Sequence, residues 1–175
     1  MNQSGNTTLW KIEARGFLIS YTPFAHNFWV LADECNQAID QIHGLAVDPF
    51  TGVTKAIGNS RHWLQAVRDS SITWSLQPNQ PIAIAAEEKK ETIQKRWQAA
   101  LYAIPAINGL CLPYPNLWQH GTRPNSNSIF NTIGQILGFS DPPSLLSTWA
   151  PGVEVTIGPE IIAHYCYKIR PEHTP

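Results

Sequence analysis

The sequence predicts an α+β fold: an antiparallel sheet packed against two main helices. Three observations carry the prediction. The first part of the chain is rich in β-branched and aromatic residues and shows little helical period. Two later stretches, 82–104 and about 126–137, carry apolar residues at helical spacing. Charged residues are only 14% of the chain, well under the usual quarter, while seven Trp, 14 Pro and 11 Gly point to a loop-rich body rather than a helical bundle. A chain of 175 residues is expected to form one domain, 1–175. That length can bury roughly 70% of the surface its unfolded state exposes.

Residues 8–22 read as one or two strands. Residues 26–47 read as two strands around the turn Asp33-Glu34-Cys35-Asn36. Asp48-Pro49-Phe50-Thr51-Gly52 has the composition of a turn. In 61–68 the alternation of His62, Leu64 and Ala66 with Trp63, Gln65 and Val67 favours a strand. Gln77 to Pro81 is a connector. Over 82–104, Ala85, Lys89, Ile93, Trp97, Ala100, Leu101 and Ile104 make a helical stripe. Glu87, Glu88 and Glu91 come early and Lys95 and Arg96 later, as the helix dipole prefers. The segment 105–124, with four prolines and two glycines, reads as a long irregular loop. A second helix from about 126 stops at Gly138. Residues 140–152 are turn-rich, and 153–169 read as one strand or two short ones.

Net charge is −1 with no basic cluster, so nucleic acid and anionic membranes are not expected as partners. Cys35, Cys111 and Cys166 match no zinc or redox spacing, and no His, Cys, Asp and Glu cluster suggests a metal. Glycines 52, 58 and 134 fit no phosphate loop. No apolar run reaches the ~18–20 residues of a membrane span. The N-terminus lacks the pattern of a signal peptide, which makes the cytoplasm the default expectation, although export without a signal peptide leaves no mark in a sequence. Asn6-Thr7-Thr8 is formally a glycosylation sequon. No cofactor is expected.

The chemistry-bearing residues fall in two places. If the 26–47 hairpin is symmetric about the Glu34–Cys35 bond, residues whose numbers sum to 69 face each other. That register puts Leu31 opposite Ala38, Phe28 opposite Gln41 and His26 opposite His43. Opposed Cβ atoms are ~4.5–5.5 Å apart, so one imidazole can act as a base and the other can orient it. The second place is Arg123-Pro124-Asn125-Ser126-Asn127-Ser128, a loop opening onto a helix. A helix N-terminus favours developing negative charge, so Ser126 or Ser128 at its first turn is a candidate nucleophile, with backbone N–H groups near Asn127 and Ser128 as oxyanion donors. The plainer reading is that Asn125, Ser126 or Asn127 caps the helix. His120, six residues before Ser126, is a third histidine in reach; His62, His164 and His173 show no partner pattern. Phe24, Phe28, Trp29, Trp63 and Trp118 are core candidates, and Trp29 can also line an apolar substrate groove beside His26.

A strand opening with His26, a partner strand ending in His43, a long helix and then Asn125-Ser126-Asn127-Ser128-Ile129-Phe130 resembles the circularly permuted papain-like superfamily. That group includes lecithin:retinol acyltransferase-like proteins, permuted NlpC-type amidases and PPPDE peptidases. The match covers roughly 26–137, with one residue more before Phe130 than the PPPDE pattern has. The resemblance implies a permuted papain-like fold and a hydrolase or acyltransferase acting on an amide, peptide or ester bond. It puts the nucleophile at Ser126, the base at His26 and the orienting group at His43. The chain departs from the family in having Ser126 where the family has Cys. A serine supplies no thiolate–imidazolium pair and must lose its proton to a general base during attack. The alternatives are a non-catalytic binding module on the same fold, or an effector or toxin domain.

Overall fold

The computed structural model describes residues 8–20, 22–72 and 76–168. Asn6 and Thr7 of the sequon, and His173, lie outside the described residues. Six strands are seen among them: β1 (Leu9–Leu18), β2 (Ala25–Ala32), β3 (Ala38–Val47), β4 (Thr54–Lys55), β5 (Trp63–Arg68) and β6 (Ile82–Lys89). Three α-helices follow: α1 (Lys90–Asn108), α2 (Ser126–Ile136) and α3 (Pro159–Tyr165). Every strand pairing is antiparallel. β6, β1, β2 and β3 lie side by side, and β4 and β5 both pair with the C-terminal half of β3. The α+β architecture expected from the sequence is therefore present.

Alternation along the strands gives the sheet two different faces. Trp10, Ile12, Ala14, Trp29, Leu31, Ile42, Ala46, Leu64 and Ala66 point to one face and form the main core with Ile93, Trp97, Ala100, Phe130 and Ile133 of α1 and α2. Trp29 is fully buried, stacks on Phe130 with ring centroids 4.6 Å apart, and donates its indole N–H to the Phe130 carbonyl at 2.8 Å. Glu13, Arg15, Phe17, His26, Phe28, Val30, Gln41, His43 and Leu45 point the other way.

β2 and β3 are zipped together only over part of their length. Trp29 pairs with Ile42, Val30 with Gln41 and Leu31 with Asp40, and then a bulge at Leu31–Ala32 shifts the ladder. Beyond Trp29 the strands part, and the first turn of α2 enters the opening. The Asn127 side chain accepts from the Asn27 N–H at 3.0 Å and donates to the Ala25 carbonyl at 3.1 Å. It satisfies the two β2 groups that a neighbouring strand would otherwise take. On the β3 side, a Cβ at Gly44 would sit 2.4 Å from the Ser126 carbonyl oxygen and 2.7 Å from its Cα. Glycine is what lets the helix and the strand come together here.

Three segments differ from the sequence reading. Residues 82–89 form β6, paired along β1, and the helix starts at Lys90. Glu87 and Glu88 therefore lie on a strand, and Glu91 is the acidic residue of the first helical turn. Ala and Glu favour helix intrinsically, but ladder bonds to β1 override a weak propensity. The helix continues through Pro105 to Asn108, shortening the irregular segment that follows. Residues 159–165 are helix rather than strand, with Pro159 at the favoured first position.

Candidate functional site

His26 and His43 do meet, but not by the register drawn from the sequence. The pairing numbers sum to 71, not 69, so Phe28 rather than His26 lies level with His43. A slip of two residues keeps every side chain on its face. The imidazoles are then diagonal neighbours, within reach of ring side chains. Their planes are 11° apart, with centroids at 5.6 Å and His26 Nε2 3.3 Å from His43 Nδ1. His43 Nε2 is 3.0 Å from Gln41 Oε1. With the amide oxygen accepting, His43 carries its proton on Nε2, His26 Nε2–H donates to His43 Nδ1, and the lone pair of His26 lies on Nδ1. Gln41 was not singled out in the sequence. Its signal is its place two residues before His43, on the same strand face.

Both rings are buried, and burial is the main reason both resist protonation. His26 is lowered to about 4. His43 is lowered to about 3, with the nearby His26 adding to the effect and Asp69 opposing it. Phe28 stacks on His43 at 4.5 Å and Phe17 packs on His26 at 5.0 Å. On this face Arg15 and Glu13 form a close ion pair at 2.6 Å.

The entry to α2 is built chiefly by Asn125. Its side chain accepts from the Asn127 N–H at 2.8 Å, and its own N–H is bonded by Ser128 Oγ at 3.1 Å. This reciprocal arrangement is a capping box. The Asn125 amide also donates to the carbonyls of His120 at 2.6 Å and Pro151 at 2.9 Å. Ser128 donates to the Gly152 carbonyl at 2.8 Å, and Asn127 also reaches the Pro151 carbonyl at 3.2 Å. The Ser128 N–H bonds the Asn125 carbonyl at 3.0 Å. So Asn125, Asn127, Ser128 and Trp29 hold the fold around Ser126, and the N–H groups of Asn127 and Ser128 are engaged by Asn125.

Ser126 has a different neighbourhood. It is 8% exposed, and its Oγ accepts from the Tyr114 hydroxyl at 3.4 Å. Among the described residues, no hydrogen bond joins Ser126 to His26 or His43. Those imidazoles point to the sheet face opposite Gly44, whereas Ser126 packs on Gly44 itself. Burial raises the Tyr114 hydroxyl above its ordinary value, so it stays a neutral phenol, although its bond to Ser126 opposes the shift. The Tyr114 ring meets His120 edge-on at 5.6 Å. His120 Nε2 is buried and has no hydrogen-bond partner among the described residues, a state that costs about 1–3 kcal/mol. A groove of about 580 Å³ runs past His120, lined by Phe24, Leu117, Trp149 and Gly152 among others.

A scan against family models, a search of curated proteins and a search of solved structures each returned no match. Among the described residues, no group of three or more His, Cys, Asp or Glu side chains is placed to hold a metal ion, and no helix is long and apolar enough to cross a membrane.

Proposed function

We propose that the protein is a hydrolase or acyltransferase acting on an amide, peptide or ester bond, with Ser126 as its nucleophile, as the resemblance to permuted papain-like proteins implies. The observation that carries this reading is the wedging of the first turn of α2 between β2 and β3. Asn127 bonds the residues on either side of His26, and Ser126 packs on the residue after His43. One locus thus gathers a serine at a helix N-terminus and the strands of two neutral imidazoles.

In this reading Ser126 Oγ attacks the carbonyl carbon while an imidazole takes its proton. The resemblance gives that part to His26, with His43 orienting it. The chain from Gln41 through His43 to His26 supports the assignment, because it fixes the tautomer of His26, and burial keeps the ring neutral at neutral pH. For His26 to serve, the serine hydroxyl has to turn from Tyr114 towards the parting of the strands. Catalytic contacts often tighten only with substrate bound. A substrate enters along the groove beside His120 and Trp149.

The test is release of p-nitrophenol from p-nitrophenyl acetate, with mass spectrometry of the quenched protein. The reading expects an acetylated protein whose modification maps to Ser126, and loss of turnover in Ser126→Ala. Undiminished turnover in Ser126→Ala contradicts it. A second reading, a non-catalytic binding module, is favoured by one observation: the hydroxyl of Ser126 rests on Tyr114 and on neither strand imidazole. That reading expects no acetylation of Ser126.

A further inference from the structure

Three places outside the strand histidines hold groups whose role is not yet explained. A cavity of about 530 Å³ lined by α1 and by residues of β1, β2, β3 and β5 contains Asp40 and Arg68, but Asp40 is already bonded by Arg68 and by the Trp97 indole, both at 2.8–2.9 Å. The outer edge of β6 exposes Ile82 and Ile84, and nothing in the structure says what covers them. The third place is the Tyr114–His120 pair beside Ser126, and it carries an inference.

We propose that His120 is the imidazole that accepts the Ser126 proton, through the Tyr114 hydroxyl. The inference rests on Ser126 as nucleophile and changes which histidine serves it. Four observations support it. The hydroxyl of Ser126 already has Tyr114 as its partner. Tyr114 is in edge contact with the His120 ring. His120 Nε2 is buried without a partner, so the ring is left with an unmet hydrogen-bonding atom in this cluster. The Pro115 carbonyl also bonds the His120 ring. With Nε2 unpartnered, that carbonyl is met by Nδ1–H. That carbonyl favours the tautomer with its proton on Nδ1, which leaves the Nε2 lone pair to accept. Burial lowers His120 below the ordinary histidine value, so it is neutral at neutral pH.

His120 is also held in place relative to the serine. The Asn125 amide grips its carbonyl at 2.6 Å, one residue from Ser126. A Cβ at Gly152 would lie 2.7 Å from that carbonyl and 2.3 Å from the Asn125 amide nitrogen, so the loop closes tightly over both. His26 differs in two respects. Its Nε2 is engaged by His43, and its ring lies on the other face of the sheet.

The step balances without a further reactant. The Tyr114 hydroxyl, which donates to Ser126 Oγ in the structure, first turns to donate to His120 Nε2, and the Ser126 hydroxyl then donates to Tyr114 Oη. As Ser126 Oγ bonds to the carbonyl carbon, its proton moves to Tyr114 Oη, and the phenolic proton moves to His120 Nε2. The carbonyl π pair goes to the oxygen. His120 then returns a proton to the leaving nitrogen or oxygen as its bond to carbon breaks, and Tyr114 ends as it began. His120 Nε2 must close onto Tyr114 Oη when substrate seats. Tyr114 and, across the groove, Glu154 are the titratable neighbours of the ring on this path.

The experiment is the rate of labelling of Ser126 by a fluorophosphonate between pH 4 and 9, in the full chain and in His120→Gln, Tyr114→Phe and His26→Gln. The expected result is a fall of about 100-fold or more in His120→Gln. Its pH profile should also lose the limb that titrates below 6.5. Tyr114→Phe should slow labelling comparably, with thermal melting showing both variants folded. Wild-type rates in both variants, or a normal rate in His120→Gln beside loss in His26→Gln, overturn the inference while Ser126 remains the nucleophile. If the wild-type chain does not label at Ser126 at all, the functional reading fails and the inference falls with it.

Discussion

The two faces of the sheet bury side chains of different chemistry, and the contrast shows where function can reside. On the helix face Trp29, Ile42, Ala46, Phe130 and Ile133 interlock as a plain apolar core. On the histidine face, burial takes in His26, His43, Gln41 and Glu13 as well as Phe28 and Val30. Buried polar groups need partners, and here the imidazoles find each other and Gln41. The helix face gains its stability mainly from packing, with buried hydrogen bonds such as that of the Trp29 indole added to it. The histidine face gains it only while its rings stay neutral. At the parting of β2 and β3 the two meet, and that is where α2 presents Ser126.

The largest effect of a single substitution should come from the helix face. Trp29→Ala removes a stacked ring and a buried indole hydrogen bond, and should lower stability by about 3–5 kcal/mol, read as a drop in urea midpoint. A shift below ~1 kcal/mol would show that the packing against Phe130 is not what it looks to be.

The histidine face should answer to pH instead. In the unfolded chain both histidines take a proton as pH falls through about 6.5. The folded protein holds His26 neutral down to about 4 and His43 down to about 3. Between those values the unfolded state binds more protons, so stability present above 6.5 is lost as pH falls. The slope should be on the order of 1 kcal/mol per pH unit for each ring. Urea melts from pH 7 to 4 should show this loss, and His26→Gln should flatten it. An unchanged slope in that variant would assign the pH dependence elsewhere.

A smaller effect probes the junction. Gly44→Ala forces a methyl against Ser126 and Ile129 and should cost about 1–3 kcal/mol. Gly121→Ala, with nothing within 4 Å of a new Cβ, should stay within about 0.5 kcal/mol. Equal thermal shifts in the two would mean that the helix does not press on β3. The smallest change concerns the cap: Asn125→Ala should cost about 1 kcal/mol or somewhat more, since the amide also ties down His120 and Pro151.

Much of this was legible in the sequence. The hairpin strands, the turn at Asp48, β5 and the span of α2 up to Gly138 follow from local pattern and turn chemistry, which act over a few residues. The meeting of His26 and His43 was legible as parity, not as register. Counting residues gives the face, but a bulge at Leu31–Ala32 decides the partner, and no local signal marks it. The strand at 82–89 was hidden because its pairing partner lies some seventy residues earlier. The helix at 159–165 did have a local sign, Gly158-Pro159-Glu160, outweighed by the apolar run around it. At the site, the sequence offered Asn125, Ser126 or Asn127 as the cap and the fold uses Asn125, whereas Tyr114 and Gln41 could not be chosen from spacing. Tyr114 reaches Ser126 across twelve residues of irregular chain, and Gln41 acts only through a ring whose orientation the fold sets.

The central claim is that Ser126 is a nucleophile rather than a structural residue at a helix start. Peptide mapping of the fluorophosphonate-treated chain tests it most directly. The account predicts a single adduct on the peptide containing Ser126, absent in Ser126→Ala. A chain that stays unmodified, or carries its adduct on another residue, would contradict it.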